Sequence, residues 1–210
     1  MTTTTLSRAG GACLLGGLTL GAISLIIGHT ISSDPATMAA AIADHPTATV
    51  VGLAFNLLGA ALLVGGLSWW AWTSYGRSPK LATIGGVLGV FGVLAIVFDD
   101  AIDMAAALMG ASSGAIGGIT TASGIAGPLS VLNDVGMILL AVASLKLGVS
   151  RAVMSTAIVG TVLEAAGFAT ATRYLAFAGL VVLLAGLAGV VRTAWVGAEE
   201  RTAELAGAPA

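Results

Sequence analysis

Long apolar runs without charge constrain the fold of this chain more than any other feature. The run ATIGGVLGVFGVLAIVF, for example, fills residues 82–98 without one charged side chain. A helix needs about 20 mostly apolar residues to cross a bilayer. Six segments reach that length, and they lie at about residues 9–31, 48–73, 81–108, 128–147, 150–170 and 173–196. The sequence therefore predicts an all-α, polytopic membrane bundle of six transmembrane helices, forming one domain over residues 1–198.

Composition excludes several other classes of protein. Hydrophobic residues make up 57% of the chain and charged residues only 9%, whereas a soluble domain has roughly 25% charged residues. The formal net charge of −2 provides no basic surface for nucleic acid. Cys13 is the single cysteine, which excludes an intrachain disulfide and any cysteine-pair metal or redox motif. We therefore expect neither a cofactor nor a metal site, and no nucleic-acid partner.

The basic residues predict the orientation, because Lys and Arg favour the cytoplasmic side. Seven of the eight fall on one side if both termini are cytoplasmic, namely Arg8, Arg77, Lys80, Lys146, Arg151, Arg192 and Arg201. Residues 199–210 then form a cytoplasmic tail, and the same interface receives the aromatic residues Trp69, Trp70, Trp72, Tyr75 and Trp195. The first span could instead be a signal peptide, but its apolar run is long and no clear cleavage site follows.

Two segments on the predicted outer side carry structural information. Residues 32–47 are expected to contain a short helix, since Asp34 can cap it and Pro35 suits its first turn. Residues 110–127 have no charge and much Gly and Ser. They are expected to form either a flexible loop or a re-entrant segment covered by protein or water.

Polar side chains converge on the outer half of the predicted membrane domain. The stretch VFDDAID contributes three carboxylates, and the whole set comprises His29, Asn56, Asp99, Asp100, Asp103, Asn133, Asp134, Glu164 and Arg173. The inner half has little beyond Ser24, Ser68 and Ser144. Charged groups within a bilayer normally face a bundle interior or a water-filled cavity. The pattern predicts an acidic, outward-facing cavity bounded by spans two to five.

Each of these residues also has a plainer interpretation. The third span could end at Phe98, leaving its aspartates on a solvated surface helix. Asn133 and Asp134 could be first-turn residues of a fourth span that opens at Pro128. Asn56 could bind two helices together, His29 could be interfacial, and Arg173 could be an interfacial cation or a counter-ion to the acids. Glu164 is predicted to face a polar interior, since the glycines on either side of it leave room for a neighbouring helix.

Three functional hypotheses follow. The first is a membrane protein that binds a small cation or a polar or amphipathic ligand through the acidic cavity, for transport, conduction or sensing. The second is a membrane enzyme, with Glu164, Asp99 or Asp103 as general acid or base on a lipid or isoprenoid, like a terpene cyclase. The third is a structural subunit of a membrane complex. Membrane lipids are expected partners, and the pairs Gly17-x3-Gly21 and Gly85-x3-Gly89 suit either a homo-oligomer or packing within the chain.

A family resemblance comes from VLNDVGMILLAVASLKLG and the following SRAVMSTAIVGTVLEAAGFA. A polar pair opens a helix, a glycine follows, and a short basic loop leads to a Gly-rich span. Together with the HP dipeptide before span two, this layout resembles the uncharacterised small bacterial six-helix integral membrane proteins, many of them actinobacterial. The resemblance implies a multi-pass protein of the bacterial inner (plasma) membrane. It implies no activity and no role for any residue.

Overall fold

The computed structural model describes residues 3–28, 35–109 and 113–207. All regular structure in these ranges is helical, without a strand. The helices are α1 (Thr3–Ile27), α2 (Pro35–Asp44), α3 (Pro46–Tyr75), α4 (Pro79–Met109), α5 (Ser113–Leu145), α6 (Arg151–Ala169) and α7 (Arg173–Gly207). All of these except the short α2 are long and apolar enough to cross a membrane. The predicted all-α, six-helix bundle is therefore confirmed, and the chain is a multi-pass integral membrane protein.

The six long helices form a closed ring in chain order. Each packs on the next, and α7 returns to pack on α1. Short connections make neighbours antiparallel, so the bundle has two ends. We call the end with Ile27, Met109 and Ala169 the distal end, and the end with residues 76–78 and 146–150 the proximal end. The basic residues predict that the distal end faces outward.

Local sequence explains where several helices begin. Proline is tolerated in the first turn, where its missing N–H would have no partner, and α2, α3 and α4 all start with it. Ser150 caps α6, because its side chain accepts a hydrogen bond from the Val153 N–H. In the preceding loop Gly148 adopts a φ of +85°, which other residues rarely adopt.

Small residues let the helices approach closely, as is common in membranes. A Cβ on Gly59 would lie 2.7 Å from the carbonyl oxygen of Gly17, so α1 and α3 touch through their backbones. A Cβ on Gly85 would lie 3.0 Å from the carbonyl oxygen of Gly136 on α5, and Gly89 also approaches Gly136. Gly17, Gly85 and Gly89 therefore serve packing within the chain.

The helix α5 begins earlier than the sequence predicted. It starts at Ser113 and continues through Pro128, so the expectation of a non-helical segment over 110–127 is wrong for the described residues from Ser113 onward. The Ser130 hydroxyl donates to the Gly127 carbonyl oxygen at 2.7 Å next to the proline. The carbonyl that loses its donor is that of Gly124, four residues before Pro128, and membrane helices tolerate such a proline where nearby groups or waters satisfy it.

Other helix bounds also differ from the predicted segments. The helix α7 extends to Gly207 through most of the predicted tail. The helix α4 continues to Met109, close to the predicted span 81–108, and does not end at Phe98 as the alternative had it. The predicted short helix in residues 32–47 is confirmed as Pro35–Asp44. It packs on α3, α4 and α5 at the distal end.

Two of the tryptophans predicted at the interface lie in the core. Trp69 and Trp70 are buried, whereas Trp72 and Tyr75 are exposed. The Trp70 Nε1–H donates to the Ser144 hydroxyl at 2.7 Å and so joins α3 to α5. The expectation for Trp69 and Trp70 is corrected because one helix face in this stretch points inward.

Candidate functional site

A buried hydrogen bond joins α3 to α4 near the distal end. The Asn56 Nδ2 donates to the Asp100 Oδ2 at 2.6 Å. Asp100 is only 4% exposed, because α4 continues past Phe98 and this side chain faces Asn56 on α3. The alternative that placed these aspartates on a solvated surface helix is therefore wrong for Asp100.

Asp103 lies one helical turn beyond Asp100 on the same side of α4. It is 5% exposed, and its Oδ1 is buried without a hydrogen-bond partner among the described residues. Asp99 is partly buried and interacts electrostatically with Asp103. The predicted grouping of the three aspartates thus places two carboxyls inside the bundle and one at its edge.

Asn133 and Asp134 lie deeper than the sequence suggested. Because α5 begins at Ser113, they are not first-turn residues. Asp134 lies 11 residues from the proximal end of α5 at Leu145, or about 16 Å along the helix axis. Asn133 is 5% exposed, and its Oδ1 is buried without a partner in the described part of the chain. A Cβ on Gly92 would overlap the Asn133 backbone, so this glycine brings α4 against α5 at that level.

Glu164 projects from α6 at a similar depth. It lies 13 residues from Arg151 at the proximal end of α6, or about 20 Å along the axis. Its Oε2 is buried and has no hydrogen-bond partner among the described residues. Asp134 is the acidic group that acts on it electrostatically. On the other side of α6, Gly179 lets α7 pack directly against the Glu164 backbone.

Three of the buried atoms that lack a partner among the described residues are acceptor oxygens of predicted site residues, namely Asp103, Asn133 and Glu164. Asp103 lies 24 residues from the proximal end of α4, or about 36 Å along the axis, so it lies nearer the distal end than Asn133 and Glu164. Carboxylate and amide oxygens accept hydrogen bonds. A group that paired with the oxygens of Asn133 and Glu164 would therefore be a hydrogen-bond donor or a cation.

Ser24 belongs with this half of the bundle, although sequence reasoning assigned it to the inner half. It is 1% exposed, lies three residues before the distal end of α1, and its Oγ has no partner among the described residues. Its position late in a span that starts at the proximal end was the signal that could have placed it correctly.

Arg173 does not neutralise the acids. Its guanidinium donates to the carbonyl oxygens of Leu25 and Ile26, the latter at 2.7 Å. These carbonyls belong to the last turn of α1, where helix carbonyls lack partners within the helix and favour a cation. Of the two histidines, His29 lies outside the described residues, and His45 is exposed just before α3.

The described residues include no candidate group of metal ligands, and two of the aspartates are buried. Within residues 3–28, 35–109 and 113–207, no group of three or more His, Cys, Asp or Glu side chains could hold a metal ion. The burial of Asp100 and Asp103 places them inside packed protein rather than on a solvent-filled wall. Comparisons with protein-family models, curated proteins and solved structures found no match.

Proposed function

We propose that this membrane protein binds a small, positively charged ligand with N–H donors at an acidic cluster between α5 and α6, inside the bundle. The cluster is formed by Asn133, Asp134 and Glu164, which lie at a similar depth, whereas Asn56, Asp100 and Asp103 lie nearer the distal end. The buried Asn133 Oδ1 and Glu164 Oε2, which have no partner among the described residues, are the observation that carries the proposal. A protonated amine offers both the charge and the donors that they require.

The charge balance of the interior supports a cationic ligand. Ionisable groups inside a membrane are costly and normally pair with one another or with a ligand. The nearest basic residue at this end, Arg173, is already bound to α1 carbonyls. The cluster therefore contains carboxyls without a protein cation beside them. A bound proton or a bound cation supplies the missing charge.

The packing below the cluster favours binding over the other hypotheses. Met137, Leu140 and Ala141 follow Asp134 on α5 and are at most 1% exposed. An enzyme acting on an isoprenoid would need an apolar pocket beneath its acid, and here packed side chains fill that part of α5. The same packing leaves no polar route through the proximal half along this helix. Movement of a ligand across the membrane would therefore need a rearrangement of the helices.

Carboxyl labelling tests this proposal. A hydrophobic carbodiimide reacts with protonated carboxyls within the membrane, and peptide mass spectrometry locates the adduct. We expect adducts at Glu164, and several-fold slower adduct formation with N,N-dimethylhexylamine present, a tertiary amine that keeps one N–H when protonated but forms no stable amide with an activated carboxyl. Hexyltrimethylammonium has the same alkyl chain and charge but no N–H, so we expect much weaker protection. The exposed Asp44 reports the background reaction.

Each outcome of this experiment is informative. Equal protection by both compounds would contradict the requirement for N–H donors, and protection by neither would overturn the binding site. The variant Glu164→Gln should lose the adduct at that position. In that variant, Asp44 labelling should stay unchanged if the bundle is still folded.

A further inference from the structure

The bundle is divided into two interlocked groups of helices. The hairpin of α6 and α7 packs through glycines along its whole length, because a Cβ on Gly160, Gly167 or Gly186 would overlap the backbone of the opposite helix. The helices α1, α3, α4 and α5 interlock in the same way, as at Gly59 and Gly136. Close backbone contact resists sliding and separation, so each group is expected to move as one body.

One interface between the two groups is held at both ends by polar contacts. At the proximal end, Arg8 forms an ion pair with Glu199 at 2.6 Å. Near it, the Trp195 Nε1–H donates to the Ser7 carbonyl oxygen at 3.0 Å. At the distal end, Arg173 donates to the last carbonyls of α1. The α1/α7 interface is therefore fixed across the full thickness of the bundle.

The other interface, between α5 and α6, is less constrained. None of the polar contacts just described joins these two helices, and their packing is much sparser than that of α6 on α7 and slightly sparser than that of α1 on α7. The polar contacts are therefore what distinguish the α1/α7 interface from the α5/α6 interface. The short loop 146–150 connects them at the proximal end, whereas their distal ends have no direct connection. The glycines of α6 contact α7, and Gly136 of α5 contacts α4, so close-approach glycines serve the other interfaces.

The acidic pair lies at this less constrained interface. Asp134 comes from α5 and Glu164 from α6, and they interact electrostatically. Like-charged groups at an interface favour separation when both are ionised. The buried Oε2 without a partner also belongs to Glu164. Separation of α5 and α6 would therefore expose the acceptors that the ligand needs.

We propose that the α6–α7 hairpin pivots about the α1/α7 interface, and that α5 and α6 separate at their distal ends to form a lateral portal from the bilayer to Asp134 and Glu164. The ligand is then an amphipathic amine that arrives from the lipid, such as a long-chain primary alkylamine. This inference rests on the proposed amine-binding function, and it adds the route and the apolar part of the ligand.

The lipid-facing surface near the portal suits an alkyl chain. Exposed apolar side chains on the distal halves of the two helices include Leu129 and Val131 on α5 and Val162 and Phe168 on α6. An alkyl chain can remain against such side chains in the hydrocarbon while its ammonium group reaches the buried acids. A short, fully soluble amine gains nothing from this route.

Distances between spin labels test the portal. In a Cys13→Ala background, labels at Leu129→Cys and Phe168→Cys report the α5/α6 interface. A control pair, Ile26→Cys and Tyr174→Cys, reports the distal α1/α7 interface. All four positions are at least 42% exposed, so the labels should not disturb the core. The protein is held in phosphatidylcholine nanodiscs, and dodecylamine is the probe.

We expect dodecylamine to lengthen the α5/α6 distance by several ångströms and to leave the α1/α7 distance unchanged. Dodecyltrimethylammonium, and dodecylamine with Glu164→Gln added, should produce no change. Equal lengthening of both pairs would overturn the pivot, because the whole bundle would have loosened. No change in either pair, with N,N-dimethylhexylamine still protecting Glu164 from carbodiimide, would overturn the portal and leave the binding site standing. Loss of that protection as well would refute both.

Discussion

The buried hydrogen bond between Asn56 and Asp100 leads to a quantitative prediction. Replacing Asn56 with Leu removes the donor and leaves the Asp100 Oδ2 buried without its partner. Leaving a buried polar group unsatisfied costs about 1–3 kcal/mol, and hydrogen bonds between membrane helices reach up to about 1.7 kcal/mol. We therefore expect Asn56→Leu to lower the free energy of unfolding by about 1–2 kcal/mol, a factor of roughly 5–30 in the folded-to-unfolded ratio.

The double variant Asn56→Leu/Asp100→Leu should recover most of that loss. Replacing both partners with apolar groups of similar shape is often nearly neutral, because no unsatisfied group remains. We expect the double variant to lie within about 0.5 kcal/mol of wild type, giving a coupling energy of about 1 kcal/mol. Tryptophan fluorescence during unfolding by dodecyl sulfate in mixed micelles measures each free energy. Thr19→Ala is the control, because its exposed hydroxyl bonds only to a carbonyl of its own helix.

Two results would refute this reasoning. If Asn56→Leu changes the free energy of unfolding by less than about 0.3 kcal/mol, the hydrogen bond is not a net contributor at this depth. If the double variant loses as much free energy of unfolding as Asn56→Leu and Asp100→Leu together, Asn56 and Asp100 do not interact energetically. Either result would also weaken the case for specific packing of α3 on α4 at this level.

Two further predictions use the same unfolding assay, and a third uses spin labels. Gly136→Val should lower the free energy of unfolding by at least about 2 kcal/mol, because its side chain would overlap the α4 backbone. The control Gly124→Val has no atom near its Cβ and should cost far less. Equal losses in the two variants would contradict this packing. Trp70→Phe should cost about 1 kcal/mol, since the 2.7 Å hydrogen bond to Ser144 is lost; no change would mean that it adds nothing. Arg173→Ala should loosen the distal α1/α7 interface and broaden the distances between spin labels placed across it; an unchanged distribution would show that the arginine does not hold it.

The membrane architecture could be predicted from sequence because it depends on local composition. A run of about 20 apolar residues is stable in lipid only when its backbone bonds internally, so length and hydropathy define a helix before any packing is known. The same logic identified the acidic residues as unusual, because a carboxyl within a span is costly wherever the span packs. The number of acidic residues within the spans, and the spans that carry them, therefore followed from the sequence.

Helix bounds were less predictable where no charge marks the membrane boundary. Residues 113–127 look like a loop because they are rich in Gly and Ser, and Pro128 looks like a helix start. The structure continues the helix through both, which moves Asn133 and Asp134 from a first turn to the middle of α5. In lipid the gain from satisfying every backbone group outweighs the weak helix propensity of glycine and serine.

The sequence by itself determined that this chain crosses the membrane six times and carries several carboxyls within its spans. Only the tertiary structure decided that Asn56 binds Asp100, that Arg173 binds the end of α1, and that Asp134 and Glu164 lie at a similar depth on the neighbouring helices α5 and α6. Hydropathy acts along one helix and does not depend on its neighbours. Pairing across helices depends on their rotation and register, which close backbone contacts at glycines such as Gly92 set only when the bundle is assembled.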